Sequence, residues 1–487
     1  MTTLLDKVAG LSSFRAMLVG DFMLDEIVHG DAGRLSPDAP VPVLKAEHEE
    51  RSAGGAAHVA RCLASLGGEV VCCGVVGNDQ AASHLRDCLK ESGVDTEGLL
   101  EDASRPTTVK RSLVGLAQHR HPQKMFRLDI ESSSPLDSDI EQSLKSLIES
   151  KMDGIDVVCL EDYNKGVCTP VICQATIAAA RAAGVEVIVD PALLEDYSKY
   201  HSATSITPNR TEAELATGGE SSSPVDMASA LSSQLECDAV VLTLDKDGAL
   251  LLAKGESPAV IPTEAQAVYD VTGAGDVVIA AIAAARANRL DWVDATRFAN
   301  VAAGLEVACF GTRAIPLAEI QREILRRQKP LTDKIRSDEE LAVELAVHRQ
   351  AGHRIVLTNG CFDVIHAGHV GYLRDAKNQG DVLVVGVNVD EQVALMKGQG
   401  RPVYGLDDRM AILSELACVD YVIPFEEPTS HRLIESVMPD LFVKGGDYAP
   451  EEINEHALVK QLGIECRVLV HRPGLGSSDV VDHLRRS

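Results

Sequence analysis

Two short stretches of the chain carry residue types that can act on phosphate. In the first, Asp270-Val271-Thr272-Gly273-Ala274-Gly275-Asp276 precedes a long apolar run, Val277–Ala287. Glycines at a helix start let backbone N–H groups approach an anion closely, and the helix dipole favours negative charge there. Asp276, at the same turn, can accept a proton from a hydroxyl nucleophile. An anion hole beside a base is the equipment for phosphoryl transfer to an alcohol. The plainer alternative is a glycine turn with an N-capping Asp. The second stretch is Thr358-Asn359-Gly360-Cys361-Phe362-Asp363-Val364-Ile365-His366-Ala367-Gly368-His369. His366 and His369 are three apart and share a face at a helix start, and Gly368 keeps that face clear. Two imidazoles there can donate hydrogen bonds to a phosphate as its charge grows in a transition state. An H-x-x-H pair is also half a metal site, but the chain has no H-E-x-x-H pattern.

Lesser signals surround the first stretch. Gly54-Gly55-Ala56-Ala57 opens an early helix, as a loop approached by a substrate would. Thr207-Pro208-Asn209-Arg210-Thr211-Glu212 places an Asn and a Glu three apart. Such a pair can order Mg²⁺ through waters, because this hard ion prefers oxygen and keeps its hydration shell.

These residues need a scaffold, and the apolar pattern supplies one. Strand-like runs Ala16–Val19, Val70–Val76, Val157–Leu160, Val185–Val189 and Ala239–Leu244 alternate with helical segments such as Val171–Ala183. Several runs end at a carboxylate: Asp21, Glu161-Asp162, Asp190 and Asp245. Strand, acidic loop, helix is the α/β layer pattern with a mostly parallel sheet, whose ligands gather beyond the carboxyl ends of its strands. Asp25–Ala46 and Pro106–Ile130 break the rhythm. Pro37, Pro40 and Pro42 exclude a helix from the first, and both read as strands of a small excursion that can act as a lid. A charged stretch with Pro330 marks a linker at 326–337, between domains over 1–325 and 338–487. A helix over Asp338–Gln350 and a strand from Arg354 to Leu357 open the second α/β unit.

With 487 residues the chain is long enough for two or three domains. Aromatic residues are only 3% and there is one Trp, so Ala, Val, Ile and Leu must build the core, which suits buried parallel strands. A net charge of −27 weighs against a nucleic-acid partner. The twelve cysteines form no C-x-x-C pair, which fits reduced thiols in the cytoplasm. The N-terminal stretch lacks a signal-peptide pattern, and no apolar window is long enough to span a membrane.

The order G-D-F-M-L-D (20–25), R-L-S-P-D-A-P-V-P-V (34–43), G-G-A-A (54–57), E-D-Y-N-K-G (161–166), T-P-N-R-T-E (207–212) and V-T-G-A-G-D (271–276) resembles the ribokinase-like carbohydrate kinases over about residues 10–320. It is most similar to their heptose-7-phosphate kinase branch. The resemblance implies Asp276 as the base, with Gly273, Ala274 and Gly275 holding the transferred phosphoryl group. It places Asn209, Arg210, Thr211 and Glu212 by ATP and Mg²⁺, with Glu212 toward the metal. Asp21, Gly54 and Gly55 would lie by the sugar. A phosphorylated sugar also needs cations, and Lys110, Arg111, Lys124 and Arg127 fall in the lid; Lys110 and Arg127 are the sugar-side candidates. The chain departs from the pattern at His58 (usually Asn), Asp245 (usually Gly) and Cys309 (often Lys).

Residues 353–480 resemble the cytidylyltransferase-like nucleotidyltransferases, most closely a heptose-1-phosphate adenylyltransferase branch. The match carries T-N-G-C-F-D with H-A-G-H, Lys397-Gly398, Arg401-Pro402, Asp408-Arg409-Met410, Val443–Tyr448 and Gly476-Ser477-Ser478. It implies His366 and His369 at the triphosphate of ATP, with Asn359, Gly360, Cys361, Phe362, Gly368, Lys397, Arg409, Lys444, Ser477 and Ser478 lining the nucleotide. The reaction it implies is in-line attack by a sugar 1-phosphate on the α-phosphorus. Cys361 reads as packing, since that reaction needs no thiol nucleophile. The pairing implies a bifunctional enzyme of ADP-heptose synthesis for lipopolysaccharide. It would use ATP twice, need a separate phosphatase and pair as a homodimer through the lid. Another sugar, CTP in the second domain, or one inactive domain are the alternatives.

Overall fold

The structure is a computed structural model that describes residues 3–116, 123–219, 223–263, 272–309, 311–328, 334–446 and 449–469. It divides into two compact units. One is built on Gly10–Ile320, the other on Gln321 onward with the N-terminal helix Leu4–Ala9. The division falls inside helix Leu317–Gln328, ahead of the expected linker, of which 329–333 lie outside the described residues. The physical link is local: the Gln321 amide donates to the Val8 carbonyl at 3.0 Å. No helix among the described residues is long and apolar enough to cross a membrane.

The first unit is a three-layer α/β fold around a nine-stranded sheet. Its strand order is Ala259–Ile261, Ala249–Ala253, Ala239–Thr243, Ser205–Ile206, Glu186–Asp190, Val157–Glu161, Phe14–Gly20, Gly68–Val76 and Leu99–Glu101. Strands from Ala239–Thr243 onward run parallel, and the first two form an antiparallel edge. Their near-continuous apolar sequences follow from burial on both faces: all five residues of Val157–Glu161 are buried. Crossover helices carry the expected signals. In Pro170–Ala183, the Thr169 hydroxyl accepts from the Ile172 N–H at 3.2 Å, and Pro170 takes the first turn.

The two excursions form a separate four-stranded sheet in the order Pro42–Gly55, Phe22–Leu35, Thr108–Leu116, Gln123–Ile130. Its register sets Asp25 opposite Ser52 and Lys110, and Lys110 opposite Asp129. Residues directly opposite share a face, so one face of the lid gathers these charges.

The second unit has an all-parallel five-stranded sheet ordered Tyr421–Phe425, Val382–Asn388, Ile355–Gly360, Leu441–Gly445, Glu465–Leu469. Ile355–Gly360 is central, so its carboxyl end is the topological switch point where such sheets take ligands. The helix Asp338–Gln350 forms as expected, with a reciprocal cap between Ser337 and Glu340.

Candidate active sites

In the first unit, helix Ala274–Ala287 starts inside the glycine motif. Gly273 is its N-cap, with φ 93, a left-handed conformation that glycine adopts without penalty. A Cβ there would also stand 3.0 Å from Thr312 Cγ2. The first-turn amides of Ala274, Gly275 and Asp276 follow that cap, at the helix end where such groups suit an anion. Asp270 and Val271 lie outside the described residues.

Asp276 sits in that first turn and is buried. The Tyr163 hydroxyl donates to its Oδ1 at 2.8 Å. Burial raises the Asp276 carboxyl to about 7, against the lowering effect of the Tyr163 hydrogen bond and the Lys110 charge. A base poised near neutrality is well matched to taking a proton from an alcohol. Ligand oxygens of Glu161, Asp190 and Asp276 lie within 4.8 Å of one another. Burial and mutual repulsion push Glu161 and Asp190 up as well, with Glu212 adding to both. Glu161 Oε2 has no hydrogen-bond partner among the described residues. An oxygen-only, under-compensated carboxylate cluster fits a hard divalent cation such as Mg²⁺.

The other kinase-side candidates fall into two groups. Asn209 and Glu212 form a capping box on helix Arg210–Thr217: the Glu212 N–H donates to Asn209 Oδ1 at 3.0 Å, and the Asn209 N–H to Glu212 Oε2 at 2.8 Å. The cap occupies the Asn209 oxygen and one Glu212 oxygen. Thr211 is exposed, and Arg210 reaches Asp247 at 4.0 Å. Gly54 and Gly55 end a lid strand and start helix Ala56–Ser65. A Cβ on Gly54 would meet the Asp25 carboxylate at 2.5 Å, so glycine there leaves that side chain in place.

Asp21 is engaged by backbone amides. Its carboxylate accepts from the backbone N–H groups of Tyr163, Lys165 and Val167 at 2.8, 3.0 and 3.2 Å. It is buried, and burial followed by the nearby Asp162 charge raises it to about 6. Asp21 thus holds the loop that carries Tyr163. The free carboxylate is Asp25, with Oδ1 buried and without a partner among the described residues. Burial raises it, while Lys110, Arg127 and Lys124 pull the other way. Lys110 Nζ stands 4.3 Å over the Tyr163 ring. Arg127 makes a two-pronged pair with Asp129, both bonds 2.7 Å. Asp25 closes the G-D-F-M-L-D motif, the signal in the sequence that pointed to it. Tyr163 lies in the E-D-Y-N-K-G motif, but its bond to Asp276 depends on a loop folding back over the sheet.

The departures also find physical accounts. His58 is fully buried beneath the glycine turn, 3.4 Å from where a Gly273 Cβ would lie, and burial lowers its imidazole to about 3. Asp245 has φ 51, the left-handed region where glycine is usual and Asp is tolerated. Cys309 lies 3.9 Å from an Arg313 guanidinium nitrogen.

In the second unit, His366 is the N-cap of helix Ala367–Lys377, its Nδ1 accepting from the Gly368 N–H at 3.1 Å. The His366 and His369 rings lie 4.0 Å apart, on one face as the spacing requires. Phe362, at φ 46, packs its ring 5.6 Å from His369. Asn359 Oδ1, at the end of the central strand, is buried without a partner among the described residues. Gly360 lies at that strand's end and Cys361 just past it; burial raises the Cys361 thiol, consistent with packing. Lys397 approaches Asp363 Oδ2 at 4.0 Å, and Arg401 pairs with the same buried carboxylate. Lys444, on the neighbouring strand, pairs with Glu455 at 3.3 Å. Ser477 and Ser478 lie outside the described residues.

Arg409 is engaged by the fold itself. It is fully buried and donates to the Tyr404 carbonyl at 3.1 Å, the Cys361 carbonyl at 2.6 Å and Asp390 Oδ1 at 2.6 Å. It ties the loop after the central strand to its neighbours.

These two sites meet their counterparts in known proteins. Residues 15–319 match the pfkB family carbohydrate kinase model, and 357–481 the cytidylyltransferase-like model. The bifunctional protein HldE of Pelobacter propionicus is 39% identical over 96% of this chain and 95% of its own. Those of Psychromonas ingrahamii and Pseudomonas paraeruginosa are 42% and 41% identical, over 97% and 96% of this chain and 98% and 97% of theirs. This chain belongs to the HldE family of bifunctional proteins. HldE members join a carbohydrate kinase to a nucleotidyltransferase, and the chain is a bifunctional enzyme of that kind. Solved structures share the fold of the first HldE unit. Arabidopsis thaliana ribokinase complexed with ribose and ATP is 21% identical with a TM-score of 0.51, over 64% of this chain and 99% of that one. Escherichia coli phosphofructokinase-2 in complex with substrates and products is 19% identical with a TM-score of 0.54, over 65% and 100%.

Proposed function

We propose that the first unit phosphorylates heptose 7-phosphate at C1 and the second transfers AMP from ATP to heptose 1-phosphate, releasing pyrophosphate and ADP-heptose for lipopolysaccharide synthesis. The observation that carries the reading is Asp276, a buried base in the first turn of a helix and within a cluster of carboxylates. Asp276 takes the proton of the C1 hydroxyl as its oxygen bonds to the γ-phosphorus and ADP departs. The amides of Gly273 to Gly275 receive the charge on the transferred group. Asp25, with Gly54 leaving it room, orients the sugar hydroxyls, and Lys110 and Arg127 meet the distal phosphate. Glu161, Asp190 and the uncapped oxygen of Glu212 would hold Mg²⁺. The ion would supply neutralisation of the ATP phosphates.

In the second unit, the in-line attack needs positioning and charge stabilisation rather than a covalent step. His366, His369 and the first-turn amides receive the triphosphate, Lys397 and Lys444 flank it, and Asn359 and Gly360 line the nucleotide. The 7-phosphate must leave between the two steps, which a separate phosphatase would do.

We place the chain in the cytoplasm, a reading supported by its twelve free cysteines. We further infer a homodimer through the lid, whose edge strand Gln123–Ile130 is exposed along its length. The functional test is product mass analysis with Mg-ATP and heptose 7-phosphate, with and without the phosphatase, using other sugars and CTP as competitors. Heptose 1,7-bisphosphate alone without phosphatase, and ADP-heptose with it, are expected. Asp276→Asn should abolish the first product and His366→Ala the second. A preferred turnover of another sugar or of CTP would overturn the substrate assignment.

A further inference from the structure

The lid carries a cluster that neither reaction uses. His29 and His48 face each other across the pair of strands Phe22–Leu35 and Pro42–Gly55. Glu50 lies two residues beyond His48, hence on the same face of its strand. The two imidazoles stack with centroids 4.4 Å apart and planes 3° from parallel. Glu50 Oε1 is 3.3 Å from His48 Nε2 and 3.6 Å from His29 Nε2. His29 is buried, yet its Nε2 has no hydrogen-bond partner among the described residues. A buried ring nitrogen left unsatisfied and aimed at a carboxylate is costly unless something else binds there.

We propose that His29, His48 and Glu50 form a binding site for a borderline divalent cation of the Zn²⁺ class. One ligand atom from each lies within 4.8 Å of the others. Two imidazole nitrogens and one carboxylate oxygen suit Zn²⁺ and select against Mg²⁺ and Ca²⁺, which take oxygen. Three protein ligands leave a fourth position for water. The strand ladder fixes the three backbones, so binding requires only side-chain torsions. A register shift directly after His29 is the kind of irregularity that re-aims a side chain on a sheet. The cation cross-links the two strands that carry Asp25 and Gly54, so it stiffens the lid without entering the sugar site.

The test is titration of Zn²⁺ into the chelator-stripped full chain against a chromophoric chelator, with thermal unfolding in parallel. His48→Ala and Glu50→Gln change exposed side chains, so both variants should fold. Whatever other equivalents the chain takes up, one is expected to vanish or weaken in both variants. Loss of an outer partner of a metal ligand alone weakens binding about 10–100-fold, so loss of a direct ligand should cost at least about 10-fold. Zn²⁺ should raise the unfolding temperature of the wild-type chain more than that of His48→Ala. Equal zinc stoichiometry and affinity in His48→Ala and wild type, or no uptake by wild type, would overturn the site.

Discussion

The Tyr163 hydroxyl donates to Asp276 Oδ1 at 2.8 Å, a bond between a loop residue and the first turn of a helix far along the chain. It stabilises the ionised base against the burial that raises it to about 7. Removing it in Tyr163→Phe should raise Asp276 further. A hydrogen bond to a charged group is worth about 1.5–3 kcal/mol, so the acidic limb of kinase kcat/KM should move up by about one to two pH units. The phenylalanine ring keeps the surface under Lys110, so KM for the sugar should change less than the profile. An unmoved limb with unchanged kcat would show that the hydroxyl does not act on the base.

The same cluster sets a pH dependence of stability. Burial, with mutual repulsion among the carboxylates, raises Asp21 to about 6 and Asp276 to about 7, and raises Glu161 and Asp190. Groups raised in the folded state bind more protons there than in the unfolded chain. Their contribution is present below the unfolded carboxylate range and is lost as pH rises through about 6 to 7. A cation that binds the ionised cluster should offset this loss. The rise in unfolding temperature on adding Mg²⁺ is therefore expected to be larger at pH 8 than at pH 5, as calorimetry would measure. Equal shifts at both would separate the metal from these carboxylates.

What the sequence made legible follows from how local each signal is. The glycine turn at Gly273, the shared face of His366 and His369, and the helix Asp338–Gln350 depend on neighbours within a turn or two, and each stands where expected. The strand runs ending at Glu161 and Asp190 marked one rim of the sheet, and both carboxylates reach the cluster there. What was not legible is non-local. Asp21 and Asp25 are both carboxylates of one motif, and only the loop 163–167 folding back over the sheet decides which one is consumed by backbone amides. Arg409 carries the right charge for a nucleotide contact, but its three acceptors come from residues 361, 390 and 404, which only the fold assembles.

Arg409 yields a prediction opposite to that for a ligand-binding arginine. Arg409 bonds two backbone carbonyls and a half-exposed Asp390, and leaving such groups without their donor costs about 1–3 kcal/mol. Arg409→Met should destabilise the second unit by that order, read by urea unfolding. Arg409→Lys should rescue little, because a single ammonium cannot replace the guanidinium fork. A variant with wild-type stability and only a raised KM for ATP would restore the nucleotide role.

Asp245 occupies a conformation that costs most L-residues about 1–2 kcal/mol and Asp somewhat less. Asp245→Gly should therefore stabilise the first unit by about 0.5–1 kcal/mol, set against glycine's larger chain entropy. Denaturant midpoints at unchanged slope would show it. A loss of stability would mean that the Asp245 side chain makes a contact worth more than the strain.

The lid's edge strand bears on assembly. Gln123–Ile130 pairs only with Thr108–Leu116 among the described strands, and Phe126, Leu128 and Ile130 share the face opposite the Arg127–Asp129 pair. Phe126 is 63% exposed. Exposed edge strands with apolar side chains are normally blunted by charge, proline or cover, because they template pairing with another chain. A second copy related by a two-fold axis would cover the strand with the same strand. Phe126→Asp should then shift the chain toward monomer in sedimentation equilibrium. Kinase KM for the sugar should rise with it, since the strand also carries Arg127, while the nucleotidyltransferase rate should hold. A wild-type chain that is monomeric at all accessible concentrations, or a dimer untouched by Phe126→Asp, would exclude this face as the interface.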